Sequence, residues 1–473
     1  MSEGGGSDRR RAGRTGERDG LARRRPGAAA PVKPAPLPAP VKKASRPPPA
    51  NARQVALDVL DAVLGEPHRA FDEAFEAHPK LERLQLRDRA FARLLVTTVL
   101  RRLGQIDKVV APLLRFRPKE RPVETMLRLG VAQLLFLNTP AHAAVGETVR
   151  LAAARFSRQA PMLNAVLRRV ASLGTAALEG QDAPRLNTPK WLWDSWSGAY
   201  GELTAREIAE AHQLEPPLDL TVPRDAEAWA SQLGAEIIAG GTLRRRAGGL
   251  VETLPGFEEG AWWVQDAAAA LPVSLLGPVR GLKVADLCAA PGGKTAQLCA
   301  AGAEVTAVER SPKRVEYLAG NLARLGMTPE IVTADVNEWQ PAGLFDAVLL
   351  DAPCTATGTI RRHPDIPWTK VPGDVARLAE AQARLLQTAL RLVRPGGTLL
   401  YAVCSLQPEE GEQRIEALLA EGGAVRVPVQ RPELRGLEAR IDSLGQVRTL
   451  PCHMAASGGL DGFFIARLRR SGG

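Results

Sequence analysis

Two cysteines stand at the ends of predicted strands, Cys354 in Asp351-Ala352-Pro353-Cys354 and Cys404 in Tyr401-Ala402-Val403-Cys404-Ser405. Upstream lies a glycine-rich turn, Asp286-Leu287-Cys288-Ala289-Ala290-Pro291-Gly292-Gly293-Lys294-Thr295. Together these segments could supply a covalent nucleophile, a second thiol beside it and a cofactor loop. A free thiol is only a few per cent thiolate at neutral pH, so attack needs a lowered pKa or a nearby base. Lys294 could supply that charge if the fold joins the turn to the strand ends. From the residues alone, each cysteine reads equally well as an inert buried hydrophobe.

The turn is not a nucleotide loop of a common kind. Gly293-Lys294-Thr295 resembles the end of a P-loop, but that motif needs a glycine where this chain has Cys288. The GxGxxG dinucleotide fingerprint is absent. Glu309 follows the turn at roughly the 20-residue spacing of an acid that grips ribose hydroxyls.

The elements that must position these residues begin near 283, where strands and helices alternate. Segments 284–287, 304–309, 345–351, 398–404 and 462–468 read as strands. Ser311-Pro312 opens a helix in the favoured first-turn manner, and 374–392 is a second helix. This alternation predicts a mostly parallel, doubly wound Rossmann-like sheet that binds ligands beyond the carboxyl ends of its strands. Asp286, Glu309, Asp351 and Cys404 fall at or near those ends.

Residues 51–175 show helical spacing without strand alternation, and Asn51 is a good N-cap. Stretches at 91–103 (ending before Gly104), 123–137, 145–156 and 162–170 predict an all-helical domain. Residues 176–275 read as an α/β connector, with strand-like pieces at 218–222 and 249–254 and tryptophans expected to pack rather than stack on bases. The catalytic domain is expected over 276–470.

Residues 1–50 hold twelve Lys or Arg against four acids, so they carry +8 of the net +10. Nine prolines and no hydrophobic periodicity predict a disordered basic tail. It suits a phosphate-binding arm and equally a solvated extension. The body carries only +2, so the high pI describes the tail. No apolar run is long enough to span a membrane, and no secretory h-region is present. The five cysteines form no CxxC pair, which argues against a metal site or a disulfide framework. A reducing cytoplasm is the expected home.

Blocks 286–295, 351–368 (Asp-Ala-Pro-Cys-Thr-Ala-Thr-Gly-Thr-Ile-Arg-Arg-His-Pro-Asp-Ile-Pro-Trp) and 404–410 (Cys-Ser-Leu-Gln-Pro-Glu-Glu) resemble RNA cytosine-C5 methyltransferases of the RsmB/Sun type. The segments His142-Ala143-Ala144-Val145-Gly146-Glu147 and Asn164-Ala165-Val166-Leu167-Arg168-Arg169 look like the NusB-type RNA-binding domain of those enzymes. The resemblance spans roughly 51–470. It implies S-adenosylmethionine as cofactor, with Cys288, Ala289, Ala290, Pro291, Gly292, Gly293 and Lys294 around its methionine part. Glu309 would hold the ribose, Asp335 would lie by the adenine, and Asp351 would line both cofactor and base. Cys404 would be the nucleophile, Cys354 the thiol that releases product, and Lys294 a further catalytic group. The implied substrate is RNA of the small ribosomal subunit. DNA cytosine methylation and a non-catalytic RNA-binding assembly factor are the rival readings. One departure stands out: Val403 occupies a position where the family commonly has Thr.

Overall fold

The computed structural model describes residues 51–246 and 249–472. The predicted basic tail lies outside the described residues.

Seven helices form the first region: α1 (Ala52–Leu64), α2 (Phe71–Glu76), α3 (Leu86–Arg101), α4 (Leu103–Val110), α5 (Arg121–Leu135), α6 (Ala141–Arg155) and α7 (Ala160–Leu173). The Asn51 side chain accepts from Arg53 N at 2.8 Å and starts α1. Val55, Val59, Leu60 and Val63 of α1 are fully buried against α3 and α5. The helix predicted to end at Leu103, before Gly104, ends two residues earlier at Arg101, and Gly104 lies inside the next helix, α4. A Cβ there would sit 1.8 Å from the Leu186 carbonyl oxygen, so the glycine serves close packing.

The connector holds α8 (Ala183–Leu186), α9 (Lys190–Tyr200), α10 (Glu202–Ala211) and α11 (Ala226–Leu233). Beside them is a small antiparallel sheet of β1 (Leu218–Thr221), β2 (Glu236–Ile237), β3 (Leu243–Arg245) and β4 (Trp263–Val264), in the order β2-β3-β1-β4. Segment 249–254 is not a strand and contains a single 3-10 turn. Trp193, Trp196, Trp262 and Trp263 are all buried, so these tryptophans pack. Asp266 then caps α12 (Ala267–Leu275), accepting from Ala268 N at 2.8 Å.

The third region contains β5 (Lys283–Leu287), α13 (Gly293–Ala300), β6 (Glu304–Glu309), α14 (Pro312–Arg324), β7 (Glu330–Thr333) and β8 (Phe345–Asp351). It continues with α15 (Ile366–Thr369), α16 (Pro372–Leu392), β9 (Val393–Val403), α17 (Glu412–Ala420), β10 (Ala424–Arg426), β11 (Arg440–Ile441), β12 (Val447–Thr449) and β13 (Phe463–Arg470). The sheet order is β11-β12-β13-β9-β8-β5-β6-β7, with β10 on β13. Strands β9, β8, β5, β6 and β7 are parallel, whereas β13, β12, β11 and β10 are antiparallel. The sheet is therefore mixed and Rossmann-like, with its crossover between β5 and β8. Among the described residues, no helix is long and apolar enough to cross a membrane.

Candidate active site

Parallel pairing of β8 with β9 sets Asp351 opposite Ala402, and Ala352 N donates to Ala402 O at 2.9 Å. The two chains leave the sheet side by side, and their sulfurs meet: Cys354 Sγ and Cys404 Sγ lie 3.4 Å apart. Lys294, in the first turn of α13, donates through Nζ to Asp351 Oδ2 at 2.7 Å. Its ammonium also lies 5.2 Å from the centre of the Phe463 ring. Burial works against the Lys294 charge, but Asp351 and then the Cys404 sulfur outweigh it and hold the ammonium above its ordinary pKa. The Cys354 thiol is pushed well above its usual value, first by its hydrogen bond with Cys404 and then by burial. Cys354 therefore stays protonated at neutral pH. The structure thus joins Cys404, Cys354, Asp351 and Lys294 in one cluster.

The turn between β5 and α13 is shaped by left-handed backbone at Cys288 (φ 64°) and Gly292 (φ 106°). A Cβ on Gly292 would lie 2.8 Å from Leu318 Cδ1, and the backbone conformation is one that L side chains rarely adopt, so a substitution there is strained. Two side chains of α14 staple the turn. Arg314 Nη2 donates to Ala290 O at 2.5 Å, and Asn321 Nδ2 donates to Pro291 O at 2.9 Å. Burial raises the Cys288 thiol to about 12, which leaves it a loop residue and no nucleophile. Asp286 is wholly buried and its carboxyl is raised to about 7 by burial. Its Oδ2 accepts from Thr295 Oγ1 at 2.6 Å, while Oδ1 has no hydrogen-bond partner.

Glu309 ends β6 and is 2% exposed. Its Oε1 accepts from Ser311 N at 3.0 Å. Its Oε2 lies 3.1 Å from Arg314 Nη1 but outside hydrogen-bond geometry, which leaves acceptor capacity free. Asp335, just beyond β7, accepts from Asn337 N at 2.9 Å. Adjacent strands are about 4.8 Å apart, so Asp351, the turn, Glu309 and Asp335 spread along one carboxyl edge over roughly 14 Å. Glu309 and Asp335 therefore do not touch the sulfur cluster.

A cavity of about 400 Å³ opens beside the turn, lined by residues 289–294 together with Asp351, Trp263, Gln265 and Asn321. A larger one of about 990 Å³ lies at the opposite ends of the strands, against Lys283, Glu304, Glu330 and Phe345. It contains none of the predicted site residues, so size does not identify the reactive end.

Sequence reasoning gave no role to the group that holds the two cysteine loops together. Glu410 is fully buried, and its Oε1 accepts from Thr355 N at 2.9 Å and from Gln382 Nε2 at 3.0 Å. Its Oε2 accepts from Ser405 Oγ at 2.5 Å and from Thr355 Oγ1. Thr355 follows Cys354 and Ser405 follows Cys404, so one carboxylate ties both loops. In the sequence Glu410 is one of three clustered acids with nothing to set it apart.

The far end of the Cys354 segment is fixed to the helical region. Phe71 N donates to Asp365 Oδ2 at 3.0 Å, Trp368 Nε1 to Leu100 O at 2.8 Å, and Arg101 Nη2 to Arg361 O at 2.8 Å. His363 Nδ1 lies 3.1 Å from Asp72 Oδ2.

A glycine turn at the sheet's crossover, with acids along the same edge, defines a Rossmann-like methyltransferase dependent on S-adenosylmethionine. Residues 273–469 match the family described as 16S rRNA methyltransferase RsmB/F, and residues 50–172 match the NusB family. Ribosomal RNA small subunit methyltransferase B of Klebsiella pneumoniae subsp. pneumoniae is 38% identical over 439 residues, covering 88% of this chain and 98% of the relative. The Escherichia coli protein of the same name is 37% identical over 363 residues, covering 72% and 84%. Among solved structures, PH0851 covers 90% of this chain and 100% of its own at TM-score 0.67 and 24% identity. A methyltransferase homolog protein from Pyrococcus horikoshii covers 60% and 96% at TM-score 0.51 and 29% identity. The chain belongs to the RsmB/F family of 16S rRNA methyltransferases and carries a NusB-family domain.

Proposed function

We propose that this enzyme methylates carbon 5 of a cytidine in small-subunit ribosomal RNA through a covalent bond between Cys404 and the base. The observation that carries the reading is the pair of sulfurs 3.4 Å apart, beside the Lys294–Asp351 ion pair. Carbon 5 of cytosine is a poor nucleophile. Addition of the Cys404 thiolate to carbon 6 makes the ring electron-rich at carbon 5, which divides one hard step into easier ones. Lys294 stabilises the thiolate, and Asp351 hydrogen-bonds the amine edge of the base. Cys354 enters as a thiol. Once the methyl group is in place a base takes the carbon-5 proton: a water ordered by the Cys354 thiol, which passes it to solvent, or Cys354 itself after giving up its own proton. The carbon-6 sulfur bond then breaks, the ring double bond returns and Cys404 leaves as thiolate. The net exchange is one methyl for one proton.

S-adenosylmethionine supplies the methyl as an electrophilic sulfonium group. The residues fit it: residues 289–294 of the turn and Asp351 line the cavity of about 400 Å³, and Glu309 keeps a buried acceptor oxygen without a hydrogen bond, available to a ribose hydroxyl. Residues Cys288 to Lys294 would hold its methionine part, Asp335 would lie by its adenine, and Asp351 would face both ligands. The target base must leave its stack to reach the sulfur, which favours looped or single-stranded RNA. The RNA relatives favour this substrate over DNA. Domain limits of 51–175, 176–275 and 276–470 accompany the proposal.

Labelled cofactor and RNA test it. Cys404→Ala should give neither product nor adduct, whereas Cys354→Ala should accumulate a denaturation-resistant protein–RNA complex. The reverse pattern would transfer the nucleophile to Cys354.

A further inference from the structure

The loop between α4 and α5 holds a phenylalanine away from any core. Leu113 and Leu114 pack on the helical core before it, and Val123 is fully buried after it. Between these anchors Phe116 is 77% exposed. The sequence Arg115-Phe116-Arg117-Pro118-Lys119-Glu120-Arg121 sets four cations against one acid. The Arg115 guanidinium lies 5.4 Å from the centre of the Phe116 ring. Gln159 Nε2 donates to Glu120 Oε1 at 3.2 Å, which brings the turn carrying Arg158 alongside. Arg117 is paired with Glu124 at 2.8 Å. Arg115, Lys119 and Arg158 have no hydrogen bond or ion pair among the described residues.

A protein partner would need apolar surface around the ring, as the centre of such interfaces does. Here the neighbours of Phe116 are charged. One bare aromatic face rimmed by unpaired cations matches single-stranded nucleic acid, whose bases stack on aromatic rings while its phosphates meet Lys and Arg. We propose that this loop is a second RNA contact, in which Phe116 stacks on one unpaired base and Arg115, Lys119 and Arg158 meet the flanking phosphates. The inference rests on the reading of ribosomal RNA as substrate, and it adds a contact outside the reactive cluster.

The experiment uses the full chain and transcribed small-subunit ribosomal RNA, with affinity measured by filter binding and turnover measured separately. Phe116→Ala should weaken binding about tenfold, within the range expected for one lost stacking contact. Phe116→Trp should restore it and Phe116→Leu should not, since a leucine offers area without a π face. Turnover at saturating RNA should be unchanged. The salt slope of Phe116→Ala should match the parent, whereas neutralising Arg115, Lys119 and Arg158 together should lower it by about 2. Unchanged affinity in Phe116→Ala, or rescue by Phe116→Leu, overturns the inference. A parent that binds RNA but does not methylate it would refute the proposed function alone, and the contrast among Phe116 variants would still decide this point.

Discussion

The two loops that carry the cysteines leave neighbouring parallel strands, yet they are held in different ways. The loop after β9 is fixed within its own domain and by the connector, where the Tyr200 hydroxyl donates to Leu406 O at 2.5 Å. Ser405 Oγ meets Glu410 five residues on, and the Ser405 carbonyl accepts from Arg448 Nη1 at 2.5 Å. The loop after β8 shares Glu410 at its start but is anchored at its end to the helical domain, through Asp365, Trp368 and Arg361. One thiol is thus placed by its own domain and the connector, and the other partly by the domain assigned to the NusB family. The spacing of the two sulfurs depends on both.

The shared carboxylate should carry the largest effect. Glu410→Gln replaces an acceptor with a donor facing Thr355 and Gln382, both of which already donate. A displacement of the thiols by about 1 Å can cost on the order of 100-fold in rate, and we expect a kcat loss of that size with RNA affinity retained. A loss below tenfold would show that the strands alone fix the sulfurs. The anchor comes next. Trp368 is half-buried against the helical core, and Trp368→Ala should cost roughly 2–3 kcal/mol in denaturant unfolding. It should also lower kcat, and a stability loss without a change in kcat would break the link between the domains.

The smallest effect is expected at the Asp72–His363 contact. Burial would raise the Asp72 carboxyl, but His363 and Arg93 overcome it and bring it down to about 2. Burial would lower His363, but Asp72 raises it above its ordinary value. A lowered acid stabilises the fold above its unfolded value near 4 and loses this as pH falls toward 2. A raised histidine stabilises the fold below about 6.5 and loses this as pH rises through its folded value. Asp72→Asn should therefore lower Tm by about 1–3 °C near pH 5–6, and the gap from the parent should narrow above pH 7. It should not close, since the ion pair of Asp72 with Arg93 at 2.6 Å is independent of His363. A gap that is constant from pH 5 to 8 would remove His363 from the anchor.

Much of the site's frame was legible because local chemistry encodes it. Ser311-Pro312 marked a helix start, the glycines marked the turn between β5 and α13, and strands 304–309 and 345–351 appear with those limits. The short strands β7, β10, β11 and β12 went unread, since two to four residues carry too little alternation to stand out. Gly104 looked like a helix end because a glycine's local cost is visible in sequence, while its contact with Leu186 is not. Val403, the departure from the family pattern, is fully buried in the same core as Leu399 and Tyr401. Cys404 packs with the cluster that contains Leu400 and Ala402, on the other face. Alternation along β9 therefore turns Val403 away from the thiol, and the missing hydroxyl is a matter of core packing.

What the chain determined by itself is the inventory: two thiols, a lysine and an aspartate at strand ends, a glycine turn, and a helical domain ahead of them. Periodicity and turn chemistry act over a few residues, so one-dimensional order suffices to state them. That the two sulfurs meet, which carboxylate ties their loops and which domain anchors Cys354 were decided only in three dimensions. Those outcomes rest on burial and on contacts between residues as far apart as Phe71 and Asp365, and neither exists until the sheet register and the domain packing are set.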